Sequence, residues 1–105
     1  MSKYGNIHTY CDGMWFDSRK EADRWIQLKL LAKAGEIEDL HRQVRFELIR
    51  KNDKYRAVAY VADFVYVDCR TGDTVVEDVK GVRTEVYKLK KKLMYDRYGI
   101  EIREV

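Results

Sequence analysis

The spacing of apolar residues changes several times along this chain, and each change marks an element. Ala22, Trp25, Ile26, Leu30 and Ala34 recur at helical intervals behind Ser18-Arg19-Lys20-Glu21, where a serine followed three residues later by glutamate reads as a capping box. With Gly35 as the stop, the pattern predicts a helix over 18–34. Residues 40–50 alternate loosely, Val44, Phe46 and Leu48 against Arg45 and Glu47, and read as an outer strand. A turn at 51–54 leads to a long strand over 56–67. That strand is apolar on both faces, which predicts a central strand covered on both sides. A Gly-containing turn, 68–73, joins it to a strand over 75–80, the pattern of an antiparallel hairpin. Gly81 breaks that strand. A second helix over 84–98 is expected to face inward with Val86, Leu89, Leu93 and Met94. Gly99 ends it, and 100–105 alternates as a last strand. The order αβββαβ predicts an α/β domain, a mixed central sheet flanked by two helices. Residues 1–17 read as an N-terminal arm with a turn or short hairpin at Asp12-Gly13.

The totals narrow this picture. A chain of 105 residues accommodates one domain with one modest core, and no linker or repeat divides it. The residues are 46% hydrophobic and 37% charged, as in a folded protein with a well-charged surface. No apolar run reaches the ~20 residues that span a bilayer, and no signal-peptide block opens the chain. A cytoplasmic protein without a membrane partner is therefore expected. Cys11 and Cys69 lack a CxxC spacing, and His8 and His41 sit near neither at a zinc-ligand interval. Free thiols in a reducing compartment are the simpler reading. The net charge of +3 argues only weakly for an anionic partner.

Candidate chemistry concentrates in 60–81. Asp63 lies inside the central strand, and Asp78 and Lys80 end the next. A buried carboxylate costs several kcal/mol unless something compensates. If the turn is centred between Thr71 and Gly72, Asp63 lies opposite Lys80 and Val65 opposite Asp78. Opposed residues share a face, so Asp63, Asp78 and Lys80 then converge while Glu77 points away. A slip of one residue would separate them. The plainer alternative is a salt-linked strand end.

An acid in one strand, an acid-x-lysine triplet in the adjoining strand and a basic helix after it, Asp63 … Asp78-Val79-Lys80, resemble the PD-(D/E)XK nuclease superfamily. The chain is also similar to small phage-encoded proteins of that kind. It shares with them Lys3-Tyr4-Gly5-Asn6, Phe16-Asp17-Ser18, Tyr60-Val61-Ala62-Asp63-Phe64, Glu77-Asp78-Val79-Lys80-Gly81 and Arg83-Thr84-Glu85-Val86-Tyr87. Ala62 stands where the superfamily has proline. The resemblance implies a restriction-endonuclease-like fold, with Asp63 and Asp78 as ligands of Mg²⁺ and the Val79 carbonyl completing the shell. Mn²⁺ suits the same oxygens. Lys80 would orient the attacking water. Glu21 matches an extra acid in some branches, as ligand or general base, although capping also accounts for it.

The second helix carries Lys88, Lys91 and Lys92 on one face, either a track for a DNA backbone or a solvated lysine face. Arg83 and Thr84 at its start are candidates for phosphate contact. Lys3 in the arm is another, though polar termini are commonly mobile. The expected function is a Mg²⁺-dependent DNA endonuclease, structure-selective like a Holliday-junction resolvase, in phage or mobile-element recombination. A domain this small has no separate module for reading bases. Cutting both strands of a junction calls for two sites, hence a homodimer. The alternative is a nucleic-acid-binding or protein-interaction module, without catalysis, on a nuclease-derived fold.

Overall fold

A computed structural model describes residues 7–79 and 82–105. The elements run β1 (Thr9–Cys11), β2 (Met14–Phe16), α1 (Arg19–Lys33), β3 (Ile37–Ile49), β4 (Val58–Asp68), β5 (Thr74–Asp78), α2 (Glu85–Tyr98) and β6 (Arg103–Glu104). A two-stranded hairpin therefore precedes the αβββαβ order. The main sheet has the order β3-β4-β5-β6, antiparallel except for the parallel β5–β6 pair. The protein is α/β with a mixed four-stranded sheet, as the periodicity predicts. β3 is an edge and β4 is interior. Among the described residues no helix is long and apolar enough to cross a membrane.

Local chemistry sets the ends of the helices. Ser18 caps α1, its side chain accepting from the Glu21 amide at 3.1 Å, and Thr84 caps α2 by accepting from the Tyr87 amide at 3.1 Å. α2 stops at Gly99, whose φ of 68° is left-handed and readily adopted only without a Cβ.

Which faces the helices bury differs from the expected stripes. α1 buries Glu21, Ala22, Trp25 and Leu28, while Ile26 and Leu30 face solvent. α2 buries Tyr87 and Met94, with Lys90, Lys91 and Leu93 half-buried, whereas Val86 and Leu89 are 63% and 58% exposed. The physical reason lies in partners outside each helix. The Tyr87 hydroxyl donates to Glu104 at 2.8 Å, which lets a polar-tipped ring replace a valine at the interface. Lysine stems can pack on apolar surface beneath their charged heads, and that of Lys91 is held by Glu104 at 3.3 Å.

Two apolar clusters result. Phe16, Trp25, Leu28, Phe64 and Tyr66 form one beneath α1. Tyr60, Ala62, Val76, Tyr87 and Met94 form the other beneath α2. Tyr60, Ala62, Phe64 and Tyr66 occupy alternate positions of β4, yet the first pair serves one cluster and the second pair the other. The exchange falls at Asp63. Across from it, between the pairs Arg42↔Phe64 and Val44↔Ala62, Gln43 holds a left-handed φ of 55°. A left-handed residue inside a strand sharpens the local twist, so the acid sits where the sheet turns from one helix toward the other.

The β4–β5 register keeps the predicted parity but is displaced by two residues. Phe64 pairs with Glu77 and Val67 with Thr74, which centres the turn between Arg70 and Thr71. Continuing that ladder sets Asp63 opposite Asp78 rather than opposite Lys80. The Lys80 expectation, like that for Lys3, lies outside the described residues.

Candidate active site

Three elements bring carboxyl groups together. Asp63 comes from β4, Asp78 from β5 and Glu21 from the first turn of α1. With Ser18, Lys20, Tyr60, Val79, Thr84, Tyr87 and Lys90 they line a cleft of about 710 Å³. Glu21 and Asp78 are buried, and Asp63 is partly so. The Val79 amide donates to Asp63 Oδ2 at 2.7 Å, and the Tyr60 hydroxyl donates to Asp78 Oδ2 at 2.5 Å.

The electrostatics follow from that crowding. Burial is the largest cause pushing the Asp63 carboxyl up to about 8. The Val79 amide opposes it, and the charges of Asp78 and Glu21 add to it. Burial likewise raises Glu21, against the pull of Asp63 and Arg42. Burial and Asp78 push the Tyr60 phenol well above its ordinary value, so it remains a proton donor to that carboxylate. Three carboxyl groups from three elements, with Asp63 and Glu21 both raised chiefly by burial, form an all-oxygen set that suits a hard divalent cation.

Glu21 is less of a capping residue than its spacing suggests. Ser18 accepts from the Glu21 amide, but no bond among the described residues returns from the Glu21 carboxylate to the Ser18 amide. Glu21 Oε1 is instead buried without a hydrogen-bond partner, 3.5 Å from Arg42 Nη2. A buried acceptor left unsatisfied costs ~1–3 kcal/mol, and a ligand would relieve it. The donor set thus fits Mg²⁺ in its chemistry. Its geometry is not preset: no group of three His, Cys, Asp or Glu side chains among the described residues stands ready to hold an ion. The Tyr60 and Val79 hydrogen bonds hold oxygens that a metal would take.

Glu77, adjacent to Asp78, has a different task. It is fully buried, bridged by Arg24 through Nε at 2.8 Å and Nη2 at 2.6 Å, and it accepts a hydrogen bond from the Tyr66 hydroxyl. This two-pronged pair fastens α1 to the sheet. Opposite Phe64 on β4, Glu77 thus faces away from the acid cluster, as strand parity predicts.

The expected DNA-contact residues divide. Thr84 reaches the cleft, but its side chain is taken up in capping. Arg83, Lys88, Lys91 and Lys92 line a neighbouring groove of about 980 Å³ on the other side of Tyr87. Arg83 and Lys91 both bind Glu104, at 2.7 and 3.3 Å, and Lys88 pairs with Glu85 at 3.2 Å. Of α2's lysines, Lys90 is the one that lines the cleft, a residue the expected helix face had passed over. Tyr60 was also missed as a polar group, because a strand tyrosine with apolar neighbours reads as core.

A twisted mixed sheet between two helices, with a carboxylate-lined cleft at the twist, defines a small α/β domain. The chain belongs to a family described as protein of unknown function (DUF1064), whose model matches residues 1–104. No curated protein and no solved structure matches it.

Proposed function

We propose that this protein is a Mg²⁺-dependent DNA endonuclease of the PD-(D/E)XK kind, hydrolysing phosphodiester bonds in its acid-lined cleft. The observation that carries the reading is the meeting of Glu21, Asp63 and Asp78 from three separate elements in one cleft, where burial first, and then the charges of the other two acids, push Asp63 up to about 8. Structural acids are usually arranged so that a cation grips them closely, as Arg24 does Glu77; here Arg42 stands 3.5 Å from Glu21, and Asp63 is raised by burial and by the charges of its two neighbours. When bound, the ion supplies a charge that neutralises the phosphate and acidifies water. Asp63 and Asp78 hold it, with the Val79 carbonyl and Glu21 adjoining. Tyr60 keeps Asp78 oriented, and Lys90 adds positive charge for a phosphate. Lys80 keeps its expected role of orienting water. A surface that meets backbone and shape favours a branched-DNA substrate, and paired cuts in such a substrate call for a homodimer.

One observation favours a second reading, a nucleic-acid-binding or protein-interaction module without catalysis. Tyr60 holds Asp78, and the three acids are not preset for an ion. Incubating the protein with a labelled four-way junction, a nicked duplex and single strands, with and without Mg²⁺, separates the two. Mg²⁺-dependent cleavage that disappears in Asp63→Asn and Asp78→Asn supports the enzyme. Binding without cleavage in Mg²⁺ or Mn²⁺ refutes it in favour of the module.

A further inference from the structure

The hairpin before α1 presents two large aromatic rings to solvent. β1 and β2 pair Tyr10 with Trp15 directly, and the rings meet edge to face at 5.1 Å and 64°. They are 60% and 64% exposed. The alternate positions, Cys11, Met14 and Phe16, pack on the α1 cluster, so the two faces of the hairpin are cleanly divided.

This hairpin is fastened rather than loose. Asp12 and Gly13, at φ 53° and 77°, make the tight two-residue turn whose twist suits paired strands. The Trp25 indole donates to Asp12 Oδ2 at 2.9 Å, and Arg42 Nη2 donates to the Trp15 carbonyl at 3.1 Å. A rigid pair of exposed rings loses little entropy when something stacks on it. Its place matters as well. Trp15 lies two residues, at most ~7 Å of chain, from Asp17, which lines the carboxylate cleft with Ser18 and Lys20. Exposed Arg19 and Lys20 follow at once. An aromatic platform, two cations and an acid-lined cleft thus succeed one another within about a dozen residues.

We propose that Tyr10 and Trp15 form a stacking platform for unpaired nucleobases, which selects DNA with single-stranded or branched segments and feeds the adjoining strand toward the cleft. A base offers a flat π-face that matches either ring whatever its identity, and its phosphates complement Arg19 and Lys20. In duplex DNA those faces are covered by neighbouring pairs, so the platform discriminates by strand state. Calling the strand a substrate rests on the nuclease reading above; the binding itself does not.

The test uses the full chain in EDTA, where binding is read without cleavage. A thymine oligonucleotide and a duplex of equal length are titrated by fluorescence anisotropy, and tryptophan emission is followed in parallel. Trp25 is buried and serves as an internal reference. Trp15→Leu keeps an apolar side chain but removes the π-face; Trp15→Phe restores one. We expect Trp15→Leu to bind the single strand roughly 5- to 100-fold more weakly, Trp15→Phe to recover most of that, and duplex binding to change less than twofold. Emission of the natural protein should be quenched by the oligonucleotide, and that quenching should vanish in Trp15→Phe. Equal single-strand binding by all three proteins, or parallel losses for duplex and single strand, overturns the proposal. An apolar partner in place of bases would leave oligonucleotide binding unmoved by Trp15→Leu, which overturns it too. Failure of Mg²⁺-dependent cleavage with Trp15 quenching intact would count against the nuclease reading alone.

Discussion

Replacing Asp63 with asparagine should stabilise the protein while disabling its cleft. The side chain keeps its shape and an acceptor for the Val79 amide, but loses the charge that Asp78 and Glu21 repel. From its ordinary value of 3.8 to about 8, the folded chain holds a proton that the unfolded chain has released. The natural protein's stability therefore falls as pH rises through that window. At pH 5 the fold still holds its proton and roughly a third or less of that loss has accrued, so the substitution gains correspondingly less. Above pH 8 it removes an ionised, crowded carboxylate. At ~1.4 kcal/mol per tenfold change in proton affinity, the ceiling is ~5–6 kcal/mol. Partial exposure of Asp63 and screening by water reduce this to an expected ~1–3 kcal/mol, or roughly 5–15 °C in Tm for a domain of this size. Thermal melts at pH 5 and pH 8.5 in EDTA measure the growth of the effect across most of that window. Adding Mg²⁺ at pH 8.5 should raise the Tm of the natural protein and leave that of Asp63→Asn nearly unchanged. An Asp63→Asn protein no more stable than its parent at pH 8.5 would refute the idea that the acids repel one another in the fold. On the nuclease reading, such a gain would be stability given up for activity.

Three further outcomes follow from the packing. Arg24→Ala strands a fully buried Glu77 without its cation and should cost ~3–5 kcal/mol in urea unfolding, whereas the double variant with Glu77→Leu should recover much of that. Val86→Ser and Leu89→Ser should each shift stability by less than ~0.5 kcal/mol because both face solvent, while Met94→Ala should cost ~2–5 kcal/mol; the reverse order would mean that α2 packs through the stripe its sequence suggests. Glu104→Gln loosens the carboxylate that occupies Arg83 and Lys91, so duplex affinity measured across a salt series should rise and its slope steepen by about one for each cation freed.

The chain's own sequence determined the order and kind of its elements, because those depend on local rules. Ser18 and Gly99 act through backbone groups within a turn of themselves, and the apolar residues along β4 report an interior strand, although only its Tyr60, Ala62, Phe64 and Tyr66 face is fully buried and Val61 is exposed. It also determined that Asp63 and Asp78 share a face, since parity survives a displacement of two residues. Tertiary structure decided the rest. Which stripe of α2 turns inward depended on Glu104, seventeen residues beyond Tyr87, offering that hydroxyl an acceptor. Whether Arg83 and Lys91 reach outward depended on the same acid. The release of Glu21 from capping, and its approach to Asp63, came from the twist at Gln43 and the docking of α1 by Arg24 on Glu77. Each is a contact between residues far apart in the chain, and its energy is absent until the sheet and both helices have come together.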